Sequence, residues 1–469
     1  MVFNNNLLIG AASASAVTPG AGYTIDNSCM FDGAADYLYF TPGTPTDNNV
    51  WTFSCWAKIA NVNVSENYLN LLDGTASNSD QCYVRIQSSK LRSIQYDSGY
   101  QWRLNGSPLL RDPSAWYHFM FCVDTGAATE EQRLRQFING VPVTSFVTES
   151  QPSADLASSI NESGRSMAVG RSAFAGASEI GYMNGYMAEV IFIDGLSLNA
   201  SSFGEFNSDG VWVPVDPSGL TFGNNGFWLD FEDNSSAAAL GNDVSGNDND
   251  FSVSGLATSN QTLDSPTDSG TTIGNLATWN PLDIQGTTWG VRALSNGNTV
   301  YTTSSGSSYA LGNIGMQSGK FYWRVQATTF QGSGYPAIGV VNENGPGAFD
   351  DGWIGGDTNA WCILTEGASY TGKTRTNGTT SASSLFTVSA GDYIDIALDV
   401  DNLKMWFGLN GTFDGDPAAG TGEAFTVNGT SFFASATTAT TSVATIDCEG
   451  GTPPAGFSRY GTMGIAAPT

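Results

Sequence analysis

Residues 51–58 read Trp51-Thr-Phe-Ser-Cys-Trp-Ala-Lys58, and this stretch decides the fold. Large apolar residues alternate with small or polar ones, which is the period of two expected for a β-strand with one buried face. Residues 115–124 and 133–143 share this period, and the second stretch contains Asn139-Gly140. An Asn-Gly pair favours a tight hairpin because both residues tolerate a positive φ. The sequence therefore predicts antiparallel strands here.

The composition is typical of an all-β protein. Gly, Ser, Thr, Asn and aromatic residues dominate, and helical periodicity is almost absent. At 469 residues the chain is too long for one ordinary sandwich. We predict two antiparallel β-sandwich (jelly-roll) domains joined by a polar connector. The best candidate for a short helix is 194–206, where Ser or Asn could act as the cap.

The net charge of −27 argues against some partners. Nucleic acid and anionic membrane surfaces bind through Lys and Arg, which are sparse here, so neither is an expected partner. The explanations of the acidity that stay open are simple solubility, a marine or saline setting, or divalent cations collected on the surface.

The cysteines and the amino terminus indicate where the protein is made. Six cysteines occur without a CxxC pair or a disulfide framework, so we expect buried free thiols and synthesis in a reducing cytoplasm. The first residues lack the basic region and apolar core of a signal peptide. No stretch has the length of a membrane span, so we expect no membrane insertion.

Three strand stretches carry a family resemblance. Residues 51–58, 115–143 and 186–194 resemble, in this order, the strand phrases of laminin-G-like domains, which have the concanavalin-type jelly roll. The resemblance covers about 23–215 and implies a sandwich fold.

The connector carries a second resemblance. Residues 240–251, Leu-Gly-Asn-Asp-Val-Ser-Gly-Asn-Asp-Asn-Asp-Phe, are similar to a phrase found in tail-fibre and other virion proteins of marine bacteriophages. Those proteins often place it after a laminin-G-like domain. The resemblance implies a virion protein made in the host cytoplasm.

The last third resembles a SPRY (B30.2-like) domain. The phrases that carry this resemblance are 319–325, 337–341 and 391–411, the last ending in Asn410-Gly411. Arg324 stands where many SPRY domains have Glu, which puts that residue's salt bridge in doubt. The predicted segments are an N-terminal assembly arm at 1–20, the first sandwich at 21–215, a connector with an extra strand at 216–272, the second sandwich at 273–452 and a C-terminal tail at 453–469.

Catalytic chemistry has little support in the sequence. A retaining glycosidase needs two carboxylates about 5 Å apart, and no strand offers such a pair outside the connector. His118 is the single histidine, and we interpret it as a packed strand residue. We therefore predict that the protein is not an enzyme.

A calcium site is a further hypothesis. Asp243, Ser245, Asn247, Asp248 and Asp250 offer alternating oxygens in a Gly-containing turn, which suits Ca²⁺. The alternative is a polar turn that satisfies its own backbone. A weaker cluster consists of Asp399, Asp401, Asp414 and Asp416.

Aromatic residues in loops are the candidate ligand platforms, because sandwich loops carry function while the sheets hold them in place. The alternative for each ring is packing beneath its own loop. The candidates are Tyr96, Tyr100 and Trp102 in the first sandwich, and Phe349, Trp353 and Tyr370 in the second.

These observations favour a bacteriophage tail fibre or receptor-binding protein that displays its sandwiches to a host surface glycan or protein. The arm at 1–20 would bind other virion proteins, and a homo-oligomer, a trimer by analogy with fibres, is expected. The alternative is a head fibre or capsid decoration protein with a structural role. A polysaccharide-degrading enzyme is the third hypothesis.

Overall fold

The computed structural model describes residues 22–60, 68–178, 180–282, 290–306, 308–329, 336–345, 354–365, 370–438 and 442–464. These residues are all-β, with several antiparallel sheets. The described chain divides into two compact units, with the boundary between Thr267 and Asp268. Within the described ranges, no helix is both long enough and apolar enough to cross a membrane.

The strands of the first unit are β1 Ser28–Asp32, β2 Tyr37–Phe40, β3 Val50–Ile59, β4 Tyr68–Asp73, β5 Asp80–Gln87, β6 Lys90–Asp97, β7 Tyr100–Gly106, β8 Trp116–Asp124, β9 Leu134–Ile138, β10 Val141–Pro142, β11 Phe146–Ser150, β12 Met167–Val169, β13 Asn184–Asp194, β14 Gly204–Phe206, β15 Trp212–Pro214, β16 Phe227–Leu229, β17 Ser252–Ser254 and β18 Gln261–Thr262. One sheet has the order β10-β9-β8-β3-β13-β1-β18, with β16 beside β13. The other has the order β11-β7-β6-β5-β4-β12-β2-β17. The predicted strands at 51–58, 115–124 and 186–194 are confirmed as β3, β8 and β13.

The sandwich interior is built from alternate residues of these strands. Trp51, Phe53 and Cys55 of β3 have no exposed surface. Phe40 of one sheet contacts Phe227 of the other, with ring centroids 6.2 Å apart. The two sheets thus share one aromatic core, as the period of two predicts.

The second face of β3 is also buried, which the sequence did not predict. Thr52 Oγ1 donates to the carbonyl of Leu196 at 2.8 Å, so the chain after β13 returns across this face. Lys58 is 1% exposed, and its Nζ lies 2.7 Å from Oδ2 of Asp264, which is equally buried. We call this outer surface of β3, β8 and β13 the covered face.

Strands from the predicted connector lie within the first unit. β16 pairs with β13, β17 with β2 and β18 with β1. The polar composition of 216–267 therefore belongs to short strands and tight turns of this sandwich.

The short helix predicted over 194–206 is confirmed only as a single 3-10 turn, with Asn199 at the cap position. A 3-10 turn at Ala200–Ser202 leads directly into β14, which pairs with β15. A Cβ on Gly204 would lie 2.5 Å from the Trp212 ring, so the ring can pack against β14 only because this residue has no side chain. Packing of Trp212 on the covered face therefore overrides the weak local helix preference.

The Asn139-Gly140 hairpin is confirmed. Asn139 has φ +48° and Gly140 has φ +73°, so both turn residues are left-handed. This is the geometry of a two-residue hairpin that follows the strand twist.

The strands of the second unit are β19 Gly290–Ser295, β20 Val300–Gly306, β21 Ser308–Leu311, β22 Lys320–Thr329, β23 Ala337–Asn342, β24 Ala360–Leu364, β25 Thr374–Thr376, β26 Thr379–Thr380, β27 Tyr393–Asp399, β28 Lys404–Leu409, β29 Thr412–Phe413, β30 Phe425–Thr426, β31 Phe432–Thr438, β32 Val443–Asp447 and β33 Ser458–Arg459. One sheet has the order β19-β20-β32-β22-β27-β28-β29, with β30 beside β28 and β33 beside β22. The other has the order β21-β31-β23-β24-β25-β26.

Two features of this unit differ from the expectations. The Arg324 guanidinium lies 2.7 Å from Asp447, so the position in doubt does form an ion pair, with β32. Residues 458–459 of the predicted tail form β33, which pairs in parallel with β22. Tyr460 follows, fully buried, with its ring 5.0 Å from that of Trp323. This part of the predicted tail is therefore a component of the sandwich.

All six cysteines are buried and free, as the sequence predicts. Burial raises the pKa of Cys55, so the thiol stays protonated and acts as a small apolar group.

Candidate ligand-binding face

The outer surface of the β4–β7 sheet carries arginines. On β5, alternate residues point into the core, and Tyr83, Arg85 and Gln87 occupy the opposite face. The strand register places Arg85 opposite Arg92 of β6, and Arg92 opposite Asn105 of β7. Arg103 lies two residues before Asn105 and shares its face. We call Arg85, Arg92, Arg103, Asn105 and their neighbouring tyrosines the arginine face.

Tyrosine rings fix the central arginine. The Arg85 guanidinium lies 4.3 Å from the ring centroid of Tyr68 and 3.8 Å from that of Tyr83. A guanidinium this close to the face of an aromatic ring is attracted electrostatically by the ring's negative face. Oε1 of Gln87 accepts hydrogen bonds from both Arg85 and Arg92. Arg85 is only 3% exposed, so little of its guanidinium is accessible to a ligand.

Tyr96 and Tyr100, both predicted site residues, meet at the edge of this face. Their ring centroids are 5.2 Å apart in an edge-to-face arrangement. The Arg103 guanidinium lies 4.9 Å from the Tyr100 ring. Tyr100 is 49% exposed, which leaves much of its surface accessible. The structure therefore brings two aromatic rings and a cation together at the β6–β7 hairpin.

Trp102, the third predicted residue of this group, lies elsewhere. It has no exposed surface, and its Nε1 donates to Oγ of Ser93 at 3.3 Å inside the sandwich. A register shift at Gln95 and Tyr96 explains the difference, because an extra residue in β7 sends Tyr100 and Trp102 to opposite faces. The prediction that Trp102 lies on the surface is wrong.

A small, open depression adjoins the arginine face. Asp73 at its base accepts hydrogen bonds from the backbone amides of Thr75 and Ala173. Burial raises the pKa of Asp73 despite these bonds. The residues around it are Asp73, Thr75, Asn78, Gln81, Tyr83, Arg85, Ser172, Ala177 and Ser178.

A second cation and tyrosine group lies on β2. The guanidinium of Arg171 is 3.8 Å from the ring centroid of Tyr37. Tyr39, two residues along, is 42% exposed. The register joins Tyr39 to Ala168 and Ala168 to Asp73, so this group shares the outer surface of the same sheet.

The predicted site of the second sandwich is only partly described. Phe349 and Trp353 lie outside the described residues. Tyr370 is 39% exposed and lies in a turn between β24 and β25. Its role in binding stays a prediction.

The predicted calcium turn is held by its own hydrogen bonds. Oδ1 of Asp243 accepts from the amides of Trp228 and Ser245, and Oδ2 accepts from Ser245 Oγ and the amide of Asn249. Asp250 Oδ1 accepts from the Asp243 amide, and Asp248 adopts φ +57°. Among the described residues, no group of three or more His, Cys, Asp or Glu is placed to hold a metal. Calcium binding stays a prediction, which melting temperatures with and without EDTA would check.

His118 packs beneath the covered face, which confirms its interpretation as a packed strand residue. It has no exposed surface, and burial lowers its pKa to about 3. Its Nε2 shares a hydrogen bond of 2.8 Å with Ser54 Oγ. Its Nδ1 has no hydrogen-bond partner among the described residues. A serine and histidine pair is therefore present, but both side chains lie inside the fold.

The arginines of this face were not predicted from the sequence. The signal was available, since residues 80–106 contain four basic and two acidic residues in a chain of net charge −27. Arg85 lies two residues from both Tyr83 and Gln87, and Arg103 lies two residues from Asn105. A separation of two residues places side chains on the same face of a strand.

Comparison with known proteins shows that the first sandwich is similar to a broad fold group. Residues 32–196 match the family model described as the Concanavalin A-like lectin/glucanases superfamily, which is less than half of the chain. No curated protein matches the chain.

Solved structures give weaker similarities. The SPRY domain of human HERC1 is 20% identical, with 36% of this chain and 96% of that chain covered and a TM-score of 0.29. A Bacteroides ovatus protein proposed to bind carbohydrate is 15% identical, with 49% and 58% covered and a TM-score of 0.35. The SAP-like pentraxin of Limulus polyphemus is 15% identical, with 37% and 78% covered and a TM-score of 0.28. These values carry no argument about ligand or role.

Proposed function

We propose that the first sandwich is a carbohydrate-binding module whose ligand lies along the β6–β7 hairpin. The observation that carries the proposal is the exposed Tyr100 ring beside Tyr96 and Arg103. The match of residues 32–196 to the lectin and glucanase superfamily supports a carbohydrate ligand. We propose a binding role without catalysis.

The chemistry of the hairpin suits a sugar. A pyranose ring presents an apolar face that can pack on an exposed aromatic ring, while its hydroxyls need directed polar partners. Tyr100 offers the first, and the Arg103 guanidinium and the Asn105 amide offer the second. All three side chains stand on paired strands, so little conformational entropy is lost when a ligand binds.

Titration calorimetry of the purified chain against a panel of oligosaccharides tests this proposal. We expect Tyr100→Ala to weaken binding about tenfold or more, by analogy with nucleic-acid bases, whose stacking on an aromatic side chain contributes about 1–3 kcal/mol. Phe206→Ala is the matched control, because Phe206 is 53% exposed and lies on β14, away from this sheet. Equal affinity of the Tyr100 variant and the parent chain would contradict the proposal.

We further propose that the chain is a bacteriophage virion component, in which the first sandwich contacts a host surface glycan or protein. The resemblance of residues 240–251 to marine phage virion proteins supports this. In this proposal the arm at 1–20 binds other virion proteins, and the chain assembles as a homo-oligomer. The alternative role is a head fibre or capsid decoration.

Labelled antibody against the chain, applied to particles that contain it, locates the protein on tail or capsid. Competition of the purified chain with particle adsorption measures receptor binding. Labelling of the tail with blocked adsorption is the expected result. Labelling of the capsid without any effect on adsorption would favour the decoration role, and depolymerisation of the host polysaccharide would revive the enzyme hypothesis.

A further inference from the structure

Two arginines stand directly opposite each other on the arginine face. Arg85 of β5 and Arg92 of β6 are register partners on neighbouring antiparallel strands. Like charges in this position destabilise a sheet. The fold nevertheless holds them together, since the Tyr83 ring centroid lies 3.8 Å from Arg85 and 5.9 Å from Arg92. Gln87 accepts hydrogen bonds from both side chains.

The outer arginines lack an acidic partner in the described part of the chain. No described carboxylate lies within ion-pair distance of Arg92 or Arg103. The Nε atoms of both residues and Oδ1 of Asn105 are buried, and they have no hydrogen-bond partner among the described residues. In contrast, Arg165 of the same unit reaches Asp80 at 2.8 Å. The chain has 44 acidic residues, and among those that the structure describes none forms an ion pair with Arg92 or Arg103.

The spacing of the two arginines suits a single anionic group. Arg92 opposes Asn105, so Arg103 is its diagonal neighbour, with the Cα atoms roughly 7–8 Å apart. In the structure the Arg92 guanidinium lies against Gln87 and the Arg103 guanidinium against the Tyr100 ring. At this spacing the two long side chains can turn toward each other and bind one carboxylate or sulfate. Guanidinium groups bind such anions through paired, charge-assisted hydrogen bonds.

We propose that the arginine face binds an anionic glycan, with a carboxylate or sulfate group between Arg92 and Arg103 and an adjoining sugar ring on Tyr100. This inference rests on the carbohydrate-binding role proposed above and names the class of its ligand. The overall charge of −27 does not oppose it at physiological ionic strength, where the Debye length is about 8 Å and the local cations dominate.

Three probes of equal length separate the possibilities: an oligouronate, a sulfated galactan oligosaccharide and a neutral galactan oligosaccharide. Titration calorimetry with the full chain at about 0.15 M salt is the assay. We expect at least one anionic probe to bind about tenfold or more tightly than the neutral one, and its affinity to fall as salt rises. The preferred anionic probe identifies carboxylate or sulfate as the recognised group.

Variants of the two arginines test the residues. Arg92→Gln should weaken binding of the anionic probe about tenfold and leave the neutral probe unchanged. Arg103→Gln should weaken the anionic probe by at least as much, and it should also weaken the neutral probe to a smaller extent, because Arg103 is also proposed to bind sugar hydroxyls. Arg92→Lys keeps the positive charge but lacks the paired N–H donors of the guanidinium group, so it should recover part of the loss. Arg135→Gln is the matched control, since it removes one cation from β9 of the other sheet. Thermal melting of each variant shows that the fold is intact.

The outcomes also separate this inference from the proposed function. If neutral and anionic probes bind equally, and Tyr100→Ala weakens both while Arg92→Gln weakens neither, the anionic inference fails while the carbohydrate role stands. If none of the three probes binds, the proposed function and this inference fail together. Loss of anionic binding in Arg135→Gln as large as in Arg92→Gln would also overturn the assignment, because the effect would be one of net charge.

Discussion

The two outer surfaces of the first sandwich differ in whether their cationic side chains form ion pairs with acidic residues. On the covered face, Lys58 meets Asp264 at 2.7 Å, and both side chains are 1% exposed. On the arginine face, Arg92 and Arg103 remain partly exposed and meet no described acid within ion-pair distance. A cation with an internal counter-charge is part of the fold, whereas one held without a counter-charge is available to an external anion.

The largest expected effect comes from breaking the buried pair. Asp264→Ala leaves Lys58 charged and buried, and it also removes the acceptor of the Trp116 Nε1 hydrogen bond at 2.9 Å. We expect a loss of about 3–5 kcal/mol in unfolding free energy, measured by urea denaturation. The double variant Lys58→Met with Asp264→Leu should recover most of this loss. No recovery would show that the carboxylate acts through contacts other than the ion pair.

A second effect tests the covered face by pH. Burial raises the pKa of Glu189 to about 8, and the Tyr23 hydroxyl donates to its Oε1 at 3.0 Å. The unfolded chain loses this proton near its ordinary pKa of about 4.3 and the folded chain only near 8, so stability falls as pH rises between these values. Each pH unit in that window costs at most about 1.4 kcal/mol.

Glu189→Gln should therefore flatten the dependence of melting temperature on pH from 5 to 8. Glu205→Gln, an exposed change on β14, serves as the control and should follow the parent chain. Parallel curves for the parent chain and the Glu189 variant would show that Glu189 is ionised in the folded protein throughout this range.

A smaller loss of stability is expected where β14 and β15 pack on the covered face. In Gly204→Ala the new methyl group would lie 2.5 Å from the Trp212 ring, which must then shift. We expect a loss of about 1–3 kcal/mol in unfolding free energy by urea denaturation. Gly219→Ala meets no atom within 4 Å and should change little. Equal effects of the two substitutions would argue against tight packing of Trp212.

The smallest effect sharpens the contrast between the faces. Arg92→Gln removes one of two opposed cations, so the unfolding free energy should stay constant or rise by about 0.2–1 kcal/mol. Arg165→Gln should instead lower it, because Arg165 reaches Asp80 at 2.8 Å and the carbonyl of Gly74. If Arg92→Gln destabilises the fold as much as Arg165→Gln, Arg92 serves the structure.

The sequence predicted what depends on local pattern. The period of two in 51–58 located β3, and Asn139-Gly140 located a hairpin, because both signals act between near neighbours in the chain. It did not predict the covered face, since Lys58 and Asp264 are 206 residues apart and no local pattern joins them.

The candidate site was predicted in part for the same reason. Tyr96 and Tyr100 flank a turn that contains Gly99, and they were predicted as site residues because they are aromatic residues close to a Gly-containing loop. Trp102 was misplaced because a single extra residue in β7 reverses the side-chain alternation. Arg85 and Arg92 became visible as a pair only through the register of β5 and β6.

Hydrogen–deuterium exchange with and without a saturating anionic oligosaccharide tests the central claim most directly. We expect slower exchange in β5, β6 and β7, residues 80–106, with residues 184–222 of the covered face unchanged. The Arg92→Gln, Arg103→Gln double variant should lose this protection at the same ligand concentration. Protection of residues 184–222 instead, or protection of 80–106 that persists in the double variant, would contradict the account.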